Sequence, residues 1–232
     1  MSVYTVESGD TLWGISKKIG CTLEAIVSAN PGVVPEQLQI GQVIRLPGGP
    51  SNSSQNTSPN GRLDTTLNSK VPLWLEKLRN AINAASQATN VPADLIAAVI
   101  YQESGGDPNV QTWNPNGGAD SSLMQVNQYT ADELERKYPD RFRNVYGLSK
   151  NVMLGASYLR DMYDTVGDRS WGITLRAYNS GPNGIDKNNL RATPAGTGDR
   201  TYVDKVLRFW SDISEGRDLP VDHYESIFGR GF

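Results

Sequence analysis

Residues 95–106 read LIAAVIYQESGG, an apolar run that ends in a carboxylate, a hydroxyl and two glycines. Pro92 precedes the run, so the sequence predicts a helix over ADLIAAVIYQES. Leu95, Val99 and Glu103 share one face of that helix because they are spaced four residues apart. Burial and the negative end of the helix dipole would raise the pKa of the Glu103 carboxyl, which suits a proton donor. An ordinary capping or surface glutamate is the alternative from this segment alone.

The chain around this helix is also helical in pattern. Apolar residues recur at helical spacing in PLWLEKLRNAINAASQATN, and further helices fit TADELERKY, capped by Thr130, NVMLGASYLRDMYDTVG, ITLRAYNSG and RTYVDKVLRFWSDISEG. Few segments alternate as strands do. The sequence from residue 71 onward therefore predicts a mainly α-helical domain of about 150 residues.

Composition excludes several classes of function. The net charge is -3 and the 22 Lys and Arg residues are scattered, which argues against a nucleic-acid partner. No apolar run approaches the length of a membrane span. Cys21 and His223 are the only residues of their types, so a zinc site of the usual ligands cannot be assembled and a serine triad would need His223. We expect an enzyme built on carboxylates, hydroxyls and amides, with no cofactor.

A change in composition after Pro47 divides the chain. The stretch GGPSNSSQNTSPNGR has almost nothing to bury and is typical of a flexible linker. We therefore predict an α+β protein with a small domain at 1–47, a linker at 48–70, and a larger domain with a C-terminal tail at 71–232.

The small domain has the predicted order strand, helix, helix, strand, with the two strands antiparallel and both helices on one face. YTVESGDTLWGISKKIG and NPGVVPEQLQIGQVIRLP closely resemble the LysM module. That resemblance implies binding of N-acetylglucosamine-containing glycans, peptidoglycan or chitin. It places the sugar groove at two loops, with the contact residues Gly9, Asp10, Thr11, Leu12, Asn30, Pro31 and Gly32. The alternative is that these residues only begin and end helices.

Four motifs of the larger domain occur in order: ESGGDPN, SSLMQVNQYTADEL, NVMLGASYL and LRAYNSGP. Together they resemble the catalytic domain shared by soluble lytic transglycosylases and goose-type lysozymes, over roughly residues 73–206. The resemblance implies a lysozyme-like, mainly helical fold with a long glycan cleft and Glu103 as the catalytic acid. It places Tyr178 close enough to hydrogen-bond near that carboxyl. The substrate-binding residues that it implies are Ser104, Met124, Gln125, Tyr178 and Asn179.

Two departures from the family pattern bear on mechanism. Ser122 stands where the family usually has a glycine before LMQ, and Asn127 stands where goose-type lysozymes carry an aspartate. Ordinary glycoside hydrolysis uses two carboxyls. Asp120 is the nearest alternative in sequence, although a turn residue is the simpler interpretation. Without a second carboxylate, the resemblance implies a lytic transglycosylase that cleaves the MurNAc-GlcNAc β-1,4 bond and forms 1,6-anhydroMurNAc.

Three other functions stay open at this point: a hydrolysing goose-type muramidase, a chitinase of the same fold, and a non-catalytic wall-binding or virion structural protein. Trp113, Tyr129 and Trp171 fall near the motifs and could stack on sugar faces. The N-terminus MSVYTVESGD has no signal-peptide pattern. We therefore expect action outside the cell, at the cell wall, by a phage lysin or virion-associated protein or by a mature secreted bacterial enzyme.

Overall fold

The structure is a computed structural model, and it describes residues 2–7, 10, 12–19, 21, 23–30, 33, 38–47, 65–113, 119–193 and 198–219. Within these ranges, only the backbone is described for residues 13, 14, 17, 23, 24, 28, 112, 113 and 119–121. Of the predicted sites, Gly9, Thr11, Pro31 and Gly32 lie outside the described residues, as does His223.

The N-terminal domain confirms the predicted order of strand, helix, helix and strand. Its elements are β1 (Val3–Thr5), α1 (Leu12–Ile19), α2 (Leu23–Ala29) and β2 (Val43–Arg45). The two strands pair antiparallel, with Tyr4 opposite Ile44. Asn30 ties α2 to β2, because its amide donates to the carbonyls of Ile26 and Arg45 and accepts from the Arg45 N–H.

The second domain is mainly helical, as predicted. Its helices are α3 (Leu73–Glu76), α4 (Arg79–Thr89), α5 (Ala93–Ser104), α6 (Gln128–Lys137), α7 (Pro139–Phe142), α8 (Gly147–Thr165), α9 (Trp171–Ser180) and α10 (Tyr202–Ser214). Helix α5 is the centre of the domain, and α4, α8 and α10 pack around it. Its residues are apolar on every side, which is the pattern of a helix buried within a core.

A small antiparallel sheet interrupts the helices between α5 and α6, and the sequence pattern did not indicate it. Its strands are β3 (Gln111–Trp113), β4 (Ala119–Ser121) and β5 (Val126–Asn127), in that spatial order. Strands of two or three residues are too short to show an alternation of apolar and polar positions. The predicted cap of α6 was also wrong, because Asn127 rather than Thr130 precedes the helix and accepts the Tyr129 N–H.

Residues 67–70, which composition assigns to the linker, contact the second domain. Leu67 is buried, its N–H donates to Asn83 at 2.8 Å, and its carbonyl accepts from Arg79 at 2.6 Å. The Asn68 N–H donates to the carboxylate of Asp94. These residues therefore fold with the second domain and are not linker. The preceding part of the predicted linker, 48–64, lies outside the described residues.

The first domain contacts the second through α2, which packs against α10. A small cavity between them is lined by Leu12, Val27, Asn30, Val33, Arg208, Ser211, Asp212 and Arg217. Across the described ranges, no helix has the length and apolar character needed to cross a membrane.

Candidate active site

Glu103 is the only residue of α5 that is not buried. The helix ends one residue later, at Ser104. Gly105 follows in a left-handed conformation at φ 61°, and its N–H donates to the Tyr101 carbonyl. Gly106 follows at φ 87°, and a Cβ there would lie 2.7 Å from Cζ3 of Trp74. The two glycines therefore turn the chain tightly under the Trp74 ring. This turn leaves the Glu103 carboxyl at the surface end of an otherwise buried helix.

The Glu103 carboxyl accepts a hydrogen bond from Tyr202, a residue that the sequence motifs did not indicate. Its phenol donates to Oε1 of Glu103 at 2.5 Å, across 99 residues of sequence. Burial, and then the negative charge of Glu103, raise the pKa of the Tyr202 phenol well above its ordinary value. The phenol therefore remains a donor. Its position on the apolar stripe of α10, four residues before Val206, predicts a buried tyrosine in need of a partner but does not identify that partner.

Ser104 connects the end of α5 to the LMQ segment. Its hydroxyl contacts the carbonyls of Ile100, at 3.1 Å, and Leu123, at 2.9 Å, and it accepts the Gly106 N–H. The residue is 0% exposed. The buried Ser104 hydroxyl holds two backbone segments together, and the expected substrate contact by this residue stays a prediction.

Met124 is also fully buried, and its expected contact with substrate stays a prediction. A Cβ on Gly155 of α8 would lie 2.7 Å from the Met124 Cβ, so the glycine lets α8 approach the LMQ segment closely. Asn151 accepts the Met124 N–H at 3.0 Å, and Tyr178 donates its phenol to the Met124 carbonyl at 2.7 Å. Met124 therefore fixes the backbone between Leu123 and Gln125.

Gln125 lies on the strained turn that follows Ser122. Both residues have positive φ, 47° for Gln125 and 64° for Ser122, a conformation that glycine adopts most easily. This geometry explains why a glycine suits position 122. The Gln125 Nε2 donates to the carbonyls of Val110, at 2.9 Å, and Ser122, at 2.6 Å. Its Oε1 is buried and has no hydrogen-bond partner among the described residues.

Tyr178 and Asn179, at the end of α9, face different neighbours. The Tyr178 ring packs against Tyr158 with a centroid distance of 5.2 Å, and its phenol bonds to the Met124 carbonyl as described above. The side-chain oxygen of Asn179 accepts from the Asp199 N–H at 3.0 Å and from the guanidinium of Arg176. Asn179 therefore holds the chain that enters α10, and substrate contact by this partly exposed residue stays a prediction.

The backbone of β4 pairs with β5 beside this turn, and Asp120 is directly opposite Asn127. The side-chain oxygen of Asn127 accepts the Tyr129 N–H at 3.0 Å, which is the usual role of an asparagine at a helix N-terminus. Position 127 is thus occupied by an amide that caps α6. Within the ranges that the structure describes, no three His, Cys, Asp or Glu side chains gather as a metal ion requires.

The three aromatic residues near the motifs differ in their surroundings. Trp171 is 5% exposed and packs on Tyr163, with ring centroids 4.2 Å apart, so it belongs to the core and cannot stack on a sugar. Tyr129 is exposed beside Asn127 and keeps that possibility. The Trp113 side chain lies outside what the structure describes.

In the first domain, the described groove residues are held by internal contacts. Asp10 accepts from the Tyr4 phenol and the Glu7 N–H and pairs with Lys18, all at 2.8 Å. Although burial acts against it, these partners hold the pKa of the Asp10 carboxyl below its ordinary value. Leu12 and Asn30 are buried, and both line the cavity against α10. Glycan contact by these three residues stays a prediction.

Both domains of the chain match known protein families. Residues 80–198, half of the chain, match the family described as Transglycosylase SLT domain, and residues 4–47 match the LysM domain. The chain is 31% identical over 115 residues to Invasion protein IagB of Salmonella typhimurium, covering 48% of this chain and 71% of that protein. It is 28% identical over 153 residues to Membrane-bound lytic murein transglycosylase F of Nitrosospira multiformis, covering 62% of this chain and 30% of that protein.

The first domain has relatives of its own. It is 50% identical over 46 residues to Secreted LysM effector ELP2 of Colletotrichum higginsianum, which covers 20% of this chain. The chain spans only 26% of the length of that effector. The SLT match, by contrast, contains Glu103, the LMQ segment and Asn179, and it ends just before α10. The chain therefore belongs to the Transglycosylase SLT domain family and carries a LysM domain ahead of its SLT domain.

Proposed function

We propose that the chain is a lytic transglycosylase that cleaves the glycan strand of peptidoglycan. The observation that carries this proposal is the placement of Glu103, the one partly exposed residue on a buried helix, with its carboxyl bonded to the buried phenol of Tyr202. A carboxyl held in this way can give a proton and afterwards be stabilised as an anion. Membership of the SLT family supports the same chemistry.

In the proposed reaction, Glu103 protonates the oxygen between N-acetylmuramic acid and N-acetylglucosamine. As that bond breaks, the 2-acetamido oxygen of the muramic sugar stabilises the cationic anomeric carbon. The Glu103 carboxylate, still bonded to Tyr202, then takes the proton of the muramic C6 hydroxyl. The C6 oxygen bonds to the anomeric carbon and displaces the acetamido group, which leaves a 1,6-anhydro ring and returns Glu103 to its protonated form.

The identity of residue 127 supports attack by the substrate's own hydroxyl rather than by water. An amide cannot act as a general base, and the oxygen of Asn127 already caps α6. Hydrolysis is the second candidate, and one observation favours it: the backbone register sets Asp120 opposite Asn127. In that case Asp120 would supply the second carboxylate that hydrolysis uses.

The LysM domain supports a place of action at the cell wall and a glycan substrate. We propose that it binds peptidoglycan and keeps the SLT domain at the wall, outside the cytoplasmic membrane. Linking two modules raises the local concentration of cleavable bonds without any new contact at the active site. Chitin is the competing substrate, because LysM modules also bind it and a chitinase could share the fold.

The test is a digest of purified peptidoglycan, with product termini identified by mass spectrometry. The wild-type chain, Glu103→Gln and Asp120→Asn are compared, since each variant replaces one carboxylate by its amide. We expect products one water lighter than hydrolysis products from the wild type and from Asp120→Asn, and none from Glu103→Gln. Reducing ends that disappear with Asp120→Asn would instead establish the muramidase.

A parallel incubation with chitin separates the substrates. Cleavage of chitin but not of peptidoglycan would replace the proposal with a chitinase. If neither polymer is cut while wild type and Glu103→Gln both sediment with purified walls, the chain is a wall-binding protein without catalysis.

A further inference from the structure

Arg176, in the middle of α9, is a fully buried cation. Its side chain is 0% exposed, and burial lowers the pKa of its guanidinium below the ordinary value. Among the described residues, no carboxylate lies within ion-pair distance of it. A buried charge without a direct ion pair is costly, so the hydrogen bonds of the guanidinium are needed to offset that cost.

Two of those hydrogen bonds go to the chain that leads from α9 into α10, and the third goes to Asn179 of α9 itself. One guanidinium nitrogen donates to the carbonyls of Leu190, at 3.1 Å, and Asp199, at 2.9 Å. The other donates to the side-chain oxygen of Asn179, which also accepts the Asp199 N–H. The planar fork of an arginine can hold several acceptors in fixed positions, which the single nitrogen of a lysine cannot do.

Asp199 connects Arg176 to Tyr202 of the candidate active site. Its carbonyl accepts both from Arg176, at 2.9 Å, and from the Tyr202 N–H, at 3.1 Å. Its carboxylate accepts the N–H and the hydroxyl of Thr201, each at 2.8 Å, and thereby fixes the residue before α10. One carbonyl thus joins the guanidinium to the residue whose phenol bonds to Glu103.

Gly198, the residue before Asp199, packs closely against the end of α9. Gly198 has a φ of 97°, and a Cβ there would lie 2.6 Å from Oδ1 of Asn179 and 2.9 Å from Oγ of Ser180. A side chain at position 198 would have to displace the side chains of Asn179 and Ser180 or shift the backbone next to Asp199, and it would also be strained at this φ. The register of the chain at residues 198 and 199 is therefore set by contact with α9.

We propose that Arg176 is a positioning residue for Glu103. By holding the Asp199 carbonyl, it fixes the start of α10 so that the phenol of Tyr202 meets the catalytic carboxyl. This inference rests on the proposed transglycosylase function for its effect on turnover. Its structural part, the coupling between positions 176 and 202, does not depend on what the enzyme cuts.

The experiment is a double-mutant cycle of wild type, Arg176→Lys, Tyr202→Phe and the double variant. Arg176→Lys keeps the charge but loses the fork, so we expect kcat on peptidoglycan to fall roughly 10- to 100-fold, with KM within about 2-fold. In the Tyr202→Phe background, the same lysine substitution should cost less than about 2-fold. Arg141→Lys, whose arginine bonds to Ser157 elsewhere in the domain, is the matched control and should keep wild-type kcat.

The cycle distinguishes positioning from a general loss of folded protein, because misfolding would lower activity equally in both backgrounds. Equal losses in both backgrounds, a change confined to KM, or wild-type kcat for Arg176→Lys would each overturn the inference. If Arg176→Lys does not fold, Gly198→Ala perturbs the same connection from the other side. It should lower kcat by a similar factor, and again only when Tyr202 is present.

Urea midpoints of the same four proteins give a readout without turnover. We expect the midpoint shifts of Arg176→Lys and Tyr202→Phe to be non-additive, since Arg176 fixes the start of α10 and so the position of the phenol that Tyr202→Phe removes. A wild type that cuts no peptidoglycan but shows this coupling would remove the proposed function and leave the positioning intact. Active wild type with additive shifts and additive losses of kcat would remove the positioning and leave the proposed function.

Discussion

Replacing Tyr202 by phenylalanine tests the proposed site most directly. The substitution keeps the buried ring and removes only the oxygen that donates to Glu103 at 2.5 Å. The bond gains strength as Glu103 gives up its proton, because a carboxylate accepts more strongly than a carboxylic acid. Tyr202→Phe should therefore weaken the transition state more than the ground state.

The size of the effect follows from the charge on the acceptor. A hydrogen bond to a charged group contributes about 1.5–3 kcal/mol. With a tenfold change in rate for each 1.4 kcal/mol or so, Tyr202→Phe should lower kcat roughly 10- to 150-fold and leave KM nearly unchanged. The raised pKa of the Tyr202 phenol keeps it a hydrogen-bond donor. The ratio of the wild-type kcat to the Tyr202→Phe kcat should therefore be constant across neutral and mildly alkaline pH.

The chain supplies a matched control. The phenol of Tyr138 donates to Asp161 of α8 at the same distance, 2.5 Å, as part of a different contact. The assay is the initial rate of release of soluble fragments from dye-labelled peptidoglycan, at several substrate concentrations and with folded protein checked by circular dichroism. The reasoning fails if Tyr202→Phe retains kcat within about 2-fold of wild type, or if Tyr138→Phe loses as much.

Three further predictions concern stability. Gly155→Ala should lower the free energy of unfolding by about 1–3 kcal/mol in urea denaturation. The reason is that its Cβ would lie 2.7 Å from the Met124 Cβ, which no rotamer change can move. An unchanged urea midpoint would contradict the packing described. Ser122→Gly should raise the unfolding free energy by up to about 1 kcal/mol, since glycine accepts the φ of 64° without strain, and a lower melting temperature would refute this. Burial acts against ionised Asp199, but its bonds outweigh that effect and lower its pKa, so its stabilisation is present above about pH 4 and lost as pH falls through the folded pKa. The melting-temperature difference between wild type and Asp199→Asn should therefore shrink below about pH 4, and a difference independent of pH would count against it.

The parts of the fold that were predictable are those that local sequence determines. Pro92 and Gly105 bracket α5 because each acts on the backbone of its own neighbourhood, and the structure begins and ends that helix where the pattern predicted. The four elements of the LysM domain were likewise predictable from turn residues and apolar spacing. The helical period placed Glu103 on the same face as Leu95 and Val99 at the end of the helix, although a surface glutamate was the alternative from that segment alone.

What the sequence did not reveal depends on contacts between distant segments. Nothing near Tyr202 indicates that its partner is 99 residues away, because the contact between α10 and the end of α5 is made by the tertiary fold and not by local sequence. The motif residues Ser104 and Met124 were expected to touch substrate, yet both are fully buried. A sequence motif indicates that a residue is constrained. It does not show whether that residue contacts the substrate or supports other residues that do.

Side chains that hold the backbone in place are less available to bind a sugar than side chains with an unpaired polar atom. The side chains of Ser104, Met124 and Asn179 are occupied in holding the backbone around Glu103. The Oε1 of Gln125, in contrast, is a buried acceptor without a partner among the described residues, and an acceptor left in that state costs about 1–3 kcal/mol. Its amide nitrogen is fixed by two carbonyls, so the oxygen cannot exchange places with it. A substrate N–H or O–H that reached this oxygen would recover that energy, but the oxygen is buried, so the turn at residues 122–125 would have to move first; glycan binding by Gln125 therefore stays a prediction.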